Sequence, residues 1–145
     1  MMVLDTNVVS ELMRAAPAES VMRWMADQPS ASLYTTTITQ AEILFGVALL
    51  PTGRRRASLL AAAEQMFEVD FAGKLLAFDS AAARTFAALA SDRQRKGRPA
   101  GTLDIQVAAI AQSRGAGVVT RNVAHFEDAG LTVIDPWGAV VKGRG

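Results

Sequence analysis

The sequence predicts an α/β fold, an open three-layer α/β/α sandwich around a central parallel sheet of about five short strands. Short apolar runs alternate with longer stretches of helical spacing. The runs are near-continuous in hydrophobicity, as strands covered on both faces are. The 145 residues, 50% of them hydrophobic, fit one domain with a substantial core. No internal repeat or long linker divides the chain, so 1–137 reads as a single domain and the Gly-rich 138–145 as a flexible tail.

Taken in order, Met2–Leu4 is a short apolar run that ends on Asp5, Thr6 and Asn7 and reads as a buried strand. Those polar residues start a helix over Val8–Arg14, which Ala15-Ala16-Pro17 breaks. A second helix fits 18–28, with Val21, Met22, Trp24 and Met25 as its apolar set. Trp24 and the methionines at this spacing suit core or dimer contacts. Leu33–Thr36 is β-prone and gives the second strand. Thr37 or Thr39 caps the next helix, Ile38–Leu50, which is apolar nearly all round and is expected to be buried. Residues 54–69 have helical spacing, Leu75–Phe78 is a third strand, and Asp79-Ser80 caps a helix to Lys96. Thr102 caps a helix to Ser113. Val118–Thr120 and Leu131–Ile134 are the last two strands, and Asp135-Pro136-Trp137 closes the fold. The helices at 18–28, 38–50 and 54–69 suggest a groove for a partner helix.

Composition excludes several classes of function. The absence of cysteine removes disulfides, thiolate zinc sites and cysteine nucleophiles, and fits a reducing cytoplasm. No run of 18 apolar residues suggests a membrane span, and no signal peptide is evident. Net charge is near +1, so overall charge says little about partners. Local charge says more: Arg54-Arg55-Arg56 and the basic residues of 84–98 suit either phosphate contacts or a solvated helix face.

Three acids stand apart from the rest. Asp5 is the only charged side chain among the first ten residues, Glu42 the only one between Asp27 and Arg54, and Asp104 the only one between Arg98 and Arg114. Asp5 alone also suits a helix cap, and Asp104 alone suits the positive end of its helix. Glu42 is harder to place, because a mid-helix acid among Ala41, Ile43, Leu44 and Phe45 loses solvation unless it finds water or a partner. Carboxylates brought to about 4 Å repel by roughly 4 kcal/mol per pair at an effective dielectric near 20. A divalent cation removes that penalty. Oxygen ligands select hard cations, and the sole histidine, His125, leaves no imidazole cluster to compete. An acidic pocket of this kind reads as a Mg²⁺ or Mn²⁺ site, and its natural chemistry is phosphodiester cleavage. His125 reads as a loop residue rather than a catalytic base.

The start VLDTNVVSEL, the helix ITQAEILFGVALL, the segment FDSAAARTFA, the helix Asp in LDIQVAAIA, the strand VVTRN and the closing IDPW occur in that order. Together, over roughly residues 2–137, they closely resemble PIN-domain nucleases of the VapC/FitB-like type, the toxin half of bacterial toxin–antitoxin pairs. The resemblance implies the α/β/α PIN sandwich, with acids converging on a Mg²⁺ or Mn²⁺ site at one end of the sheet. It implies RNA cleavage, a homodimer, and an antitoxin that blocks the site and carries the complex to operator DNA. Asp5, Glu42 and Asp104 match the family's three leading acids, which implies Asp5 and Asp104 as direct metal ligands and Glu42 as an acid that ligates through water or orients the attacking water. Thr6 and Asn7 would position Asp5 or touch the phosphate, or else only cap the helix. Thr120 and Arg121, at the end of the fourth strand, are expected to position substrate, and Arg121 would hold a phosphate or pair with a neighbour. Many relatives carry a fourth acid after that strand, as TRD; here the residue is Asn122. Asp128 could substitute only from a six-residue offset. One tightly bound ion is therefore expected, with any second arriving with RNA.

Other readings compete. A hydrolase with an aspartyl nucleophile wants a second acid two residues after Asp5, where Asn7 stands. A dinucleotide-binding domain lacks its glycine-rich motif after the first strand. A catalytically weak PIN-fold module, binding RNA or its antitoxin without cutting, stays open because Asn122 carries no charge.

Overall fold

The computed structural model describes residues 1–98, 101–138 and 140–142, with backbone alone at 128 and 140–142. Strands β1 (Met2–Leu4), β2 (Leu33–Thr36), β3 (Leu75–Leu76), β4 (Gly117–Val119), β5 (Val133–Asp135) and β6 (Val140–Lys142) form one sheet among the described residues, in the order β3-β2-β1-β4-β5-β6. The first five run parallel, and β6 pairs antiparallel with β5. The expected central parallel sheet is therefore present, with one strand more than anticipated. Val140–Lys142, within the stretch expected to be a tail, pairs with β5 as this sixth strand. Residues 143–145 lie outside the described residues.

Helices α1 (Thr6–Leu12), α2 (Glu19–Ala26), α3 (Thr37–Ala48), α4 (Arg54–Gln65), α5 (Ser80–Arg95) and α6 (Thr102–Ser113) cover the sheet. Alternation along the strands divides the core in two. Val3 and Val118 join Val107, Ile110 and Phe126 on one face, whereas Leu4 and Val119 join Val8, Val21, Ile43 and Phe67 on the other. At Gly117 a side chain has no room, because a Cβ would meet the Thr132 carbonyl oxygen at 2.9 Å.

Local chemistry explains the boundaries. Asp5, in extended conformation, caps α1 by accepting the Thr6 N–H, so this helix starts two residues earlier than expected. Of three consecutive threonines it is Thr36, still extended at the end of β2, whose hydroxyl accepts the Thr39 N–H and caps α3. Thr37 and Thr39 are already helical. Asp79 caps α5 as anticipated, but Gly101, not Thr102, holds the cap position of α6. The apolar run at 54–69 splits: α4 ends at Gln65, and one wide turn follows, closed by the Phe71 N–H on the Met66 carbonyl at 2.9 Å.

The largest departure concerns α3. It was expected to be buried all round, yet only Thr39, Ile43 and Val47 are buried, while Phe45 and Leu49 are 66% and 69% exposed. Apolar periodicity marks faces that leave water; it does not separate a core from a partner. No described helix is long and apolar enough to cross a membrane.

Candidate active site

The order in which strands are added reverses beside β1: β2 and β3 extend the sheet to one side of it, β4 and β5 to the other. The crevice beyond the carboxyl ends of β1 and β4 is where such sheets bind ligands. Asp5 follows β1 and Thr120 follows β4, and the Asp5 N–H donates to the Val119 carbonyl at 2.9 Å.

Asp5 is 3% exposed. Its Oδ1 accepts the Thr6 N–H at 2.9 Å, and its Oδ2 accepts the Thr120 hydroxyl at 2.8 Å. Having donated its proton, the Thr120 oxygen accepts from Asn7 Nδ2 at 3.2 Å and from the Asn122 N–H at 3.0 Å. Asn7 Oδ1 in turn accepts the Arg121 N–H at 3.1 Å. Asn7 and Thr120 thus form a brace that fixes Asp5 and splices the β1 and β4 ends together.

Glu42 projects from the middle of α3 and is half-buried. Its Oε1 accepts the Thr6 hydroxyl at 2.8 Å, which satisfies the acid that sequence alone left unexplained. With its proton given to Glu42, the Thr6 oxygen accepts from Thr39 at 3.0 Å. Asp104 lies in the first turn of α6, and its Oδ2 stands 2.8 Å from His125 Nδ1.

Burial pushes the Asp5 carboxyl up to about 6. The Thr120 and Thr6 hydrogen bonds oppose that rise, and the charges of Asp104 and Glu42 add to it. The three acids therefore share one electrostatic environment, centred on a carboxylate with little access to water. They do not form a ready-made cage: among the described residues no three acids or imidazoles stand close enough to hold a metal ion. Glu42 is tied to Thr6 and Asp104 to His125, an arrangement that keeps like charges apart. Asp5 and Asp104 are the residues that could hold Mg²⁺, an ion that needs only one or two hard carboxylates when water completes its shell.

The remaining expected residues are distributed as follows. Arg121 is exposed, and its guanidinium lies 4.7 Å from the centre of the Trp137 ring, so it stacks on a neighbour. Asn122 lies beside the brace and reaches it through its backbone. The Asp128 side chain lies outside the described residues. One residue's role differs from the expectation, and one contact was not anticipated. Thr120 was read as facing substrate but is fully buried against Asp5; its place one residue past β4 was the available signal. The pairing of His125 with Asp104 had none, since 21 residues and a loop separate the two.

Beside Thr6 and Glu42 opens a groove of about 910 Å³ between α1, α3 and α4. Ile43, Val47, Leu50 and Leu59 give it an apolar floor, with Arg14 and Arg55 on its walls. The anticipated groove thus exists, but α1 rather than α2 forms one side.

Comparison with known proteins agrees with this architecture. The PIN domain family matches residues 2–130. The VapC ribonuclease Y4jK of Sinorhizobium fredii is 41% identical over 137 residues, covering 94% of this chain and 98% of that protein. Toxin FitB of Neisseria gonorrhoeae is 36% identical, over 94% of this chain and 99% of its own. Among solved structures, FitAB bound to an IR36 DNA fragment superposes with a TM-score of 0.87 at 36% identity, covering 94% of this chain and 96% of that one.

Proposed function

The chain belongs to the PIN-domain family, and on that footing we propose that it is a metal-dependent endoribonuclease, the toxin of a toxin–antitoxin pair. The observation that carries this reading is the buried Asp5 carboxylate at the β1/β4 crevice, held ionisable by donated hydrogen bonds and crowded by the charges of Asp104 and Glu42. A site of that kind is completed by a cation.

Asp5 and Asp104 would hold Mg²⁺ or Mn²⁺, with Glu42 acting through water. The ion supplies activation of a water molecule and neutralisation of charge on the phosphoryl oxygens. The chain's own residues supply the preorganisation. Thr120 and Asn7 fix the Asp5 carboxylate in one orientation. Thr6 keeps Glu42 Oε1 hydrogen-bonded at 2.8 Å. Asn122 offers a neutral amide where a fourth acid would add charge, which favours a single tightly held ion.

The groove beside Glu42 and Thr6 suits an antitoxin segment, because a chain seated on Ile43, Val47 and Leu59 is led directly to the site it blocks. Operator DNA would be reached through that partner. The exposed Phe45 and Leu49 suit a further protein contact, a second copy of the chain among them.

The test is cleavage of structured RNA by the purified chain with Mn²⁺, beside Asp5→Asn and Asp104→Asn. Metal-dependent cutting that falls by about 100-fold or more in either variant supports the enzyme, since even the partners that orient a metal ligand cost roughly 10- to 100-fold when lost. Asn122 and the absence of a preformed three-acid cage favour one other reading, a PIN-fold module that binds without cutting. Equal background cleavage by all three proteins would favour it.

A further inference from the structure

The short turn after β4, Val123–His125, links α5 to the acid at the start of α6. Arg93 of α5 is only 5% exposed. Its Nη2 donates to the His125 carbonyl at 2.6 Å, while its buried Nε has no hydrogen-bond partner among the described residues. An aliphatic side chain would fill the same space without stranding a polar atom. What the arginine adds is a fixed backbone at His125. The His125 N–H closes the turn on the Asn122 carbonyl at 3.0 Å. From that anchored backbone the half-exposed ring reaches Asp104, with Nδ1 at 2.8 Å from Oδ2. A carboxylate oxygen only accepts, so Nδ1 carries the shared proton.

We propose that His125 is a positioning residue for the cation site: its Nδ1–H holds one oxygen of Asp104, and buried Arg93 holds His125. Hydrogen bonds to a ligating carboxylate set its orientation, and their loss typically costs 10- to 100-fold in metal affinity or activity. The inference rests on Asp5 and Asp104 being the cation's ligands. It assigns His125 no role as a base, and it gives the fold's only histidine a place at the site.

Calorimetric titration of the purified chain with Mn²⁺ alone, near neutral pH, provides a readout independent of catalysis. His125→Ala is expected to weaken Mn²⁺ binding by about 10-fold or more. His125→Asn places an amide nitrogen where Nδ1 stands and is expected to recover most of the loss. His125→Gln carries its donor one bond further out and is expected to recover little. In RNA cleavage the loss should fall mainly on the Mn²⁺ concentration for half-maximal rate and less on the saturated rate. Wild-type Mn²⁺ affinity in His125→Ala, or equal weakness of the Asn and Ala variants, overturns the proposal. Asp5→Asn and Asp104→Asn separate the two levels. If they lose Mn²⁺ while His125→Ala keeps it, the positioning role alone falls. If they too bind normally, the cation site falls and the positioning role with it.

Discussion

Asp5 carries a charge that its surroundings disfavour, and this has a measurable signature. Its carboxyl moves from 3.8 to about 6 on folding, so the folded chain holds that proton more tightly than the unfolded one. The associated stabilisation is complete below pH 3.8 and is lost as pH rises through about 6. Above that range the ionised group weighs against the fold by on the order of 2–3 kcal/mol. Asp5→Asn should therefore raise the urea stability of the metal-free protein near neutral pH by about 1–3 kcal/mol, and change it little in acid. Chemical denaturation at the two pH values checks this, and a variant less stable than wild type at neutral pH would contradict it. At this scale the sequence was informative where isolation in charge coincided with an apolar setting, as for Asp5, Glu42 and Asp104. It was silent where a partner came from a distant loop, as for His125, because no periodicity connects such residues.

Elements were legible in kind and less so in their ends. β2 occupies the residues anticipated, whereas the cap of α3 was expected at Thr37 or Thr39 and lies at Thr36. Side-chain chemistry could not choose between them; backbone conformation could, because only Thr36 is still extended where its hydroxyl meets the N–H three residues on. Thr36→Ala should thus cost about 1 kcal/mol, while Thr37→Ala, beyond the cap, should cost less. A denaturant midpoint comparison of the pair decides it. The interior of α3 was misjudged for a different reason. Ile43 and Val47 face the core and Phe45 and Leu49 do not, yet all four are equally apolar in sequence. Hydrophobicity does not separate a residue packed in the core from one left on an exposed face.

For the whole molecule, the exposed pair on α3 gives a direct test of assembly. Phe45→Lys with Leu49→Lys should leave the unfolding free energy of the lone chain within roughly 0.5 kcal/mol per site, as surface changes do. The same substitutions should abolish a protein contact. Sedimentation of the chain alone reports a second copy, and co-purification reports the antitoxin; unchanged behaviour in both would remove this face from either interface. The fold class was readable because parallel strands must be apolar on both sides, whereas the strand order was not, since periodicity says nothing about neighbours. That order has a consequence for synthesis. Asp5 and Thr120 are 115 residues apart, and β1 needs β4 along one edge before the pair can meet. On the ribosome the catalytic crevice cannot close until β4 has left the exit tunnel. Any chemistry at the Asp5 crevice must therefore wait until most of the chain has been made.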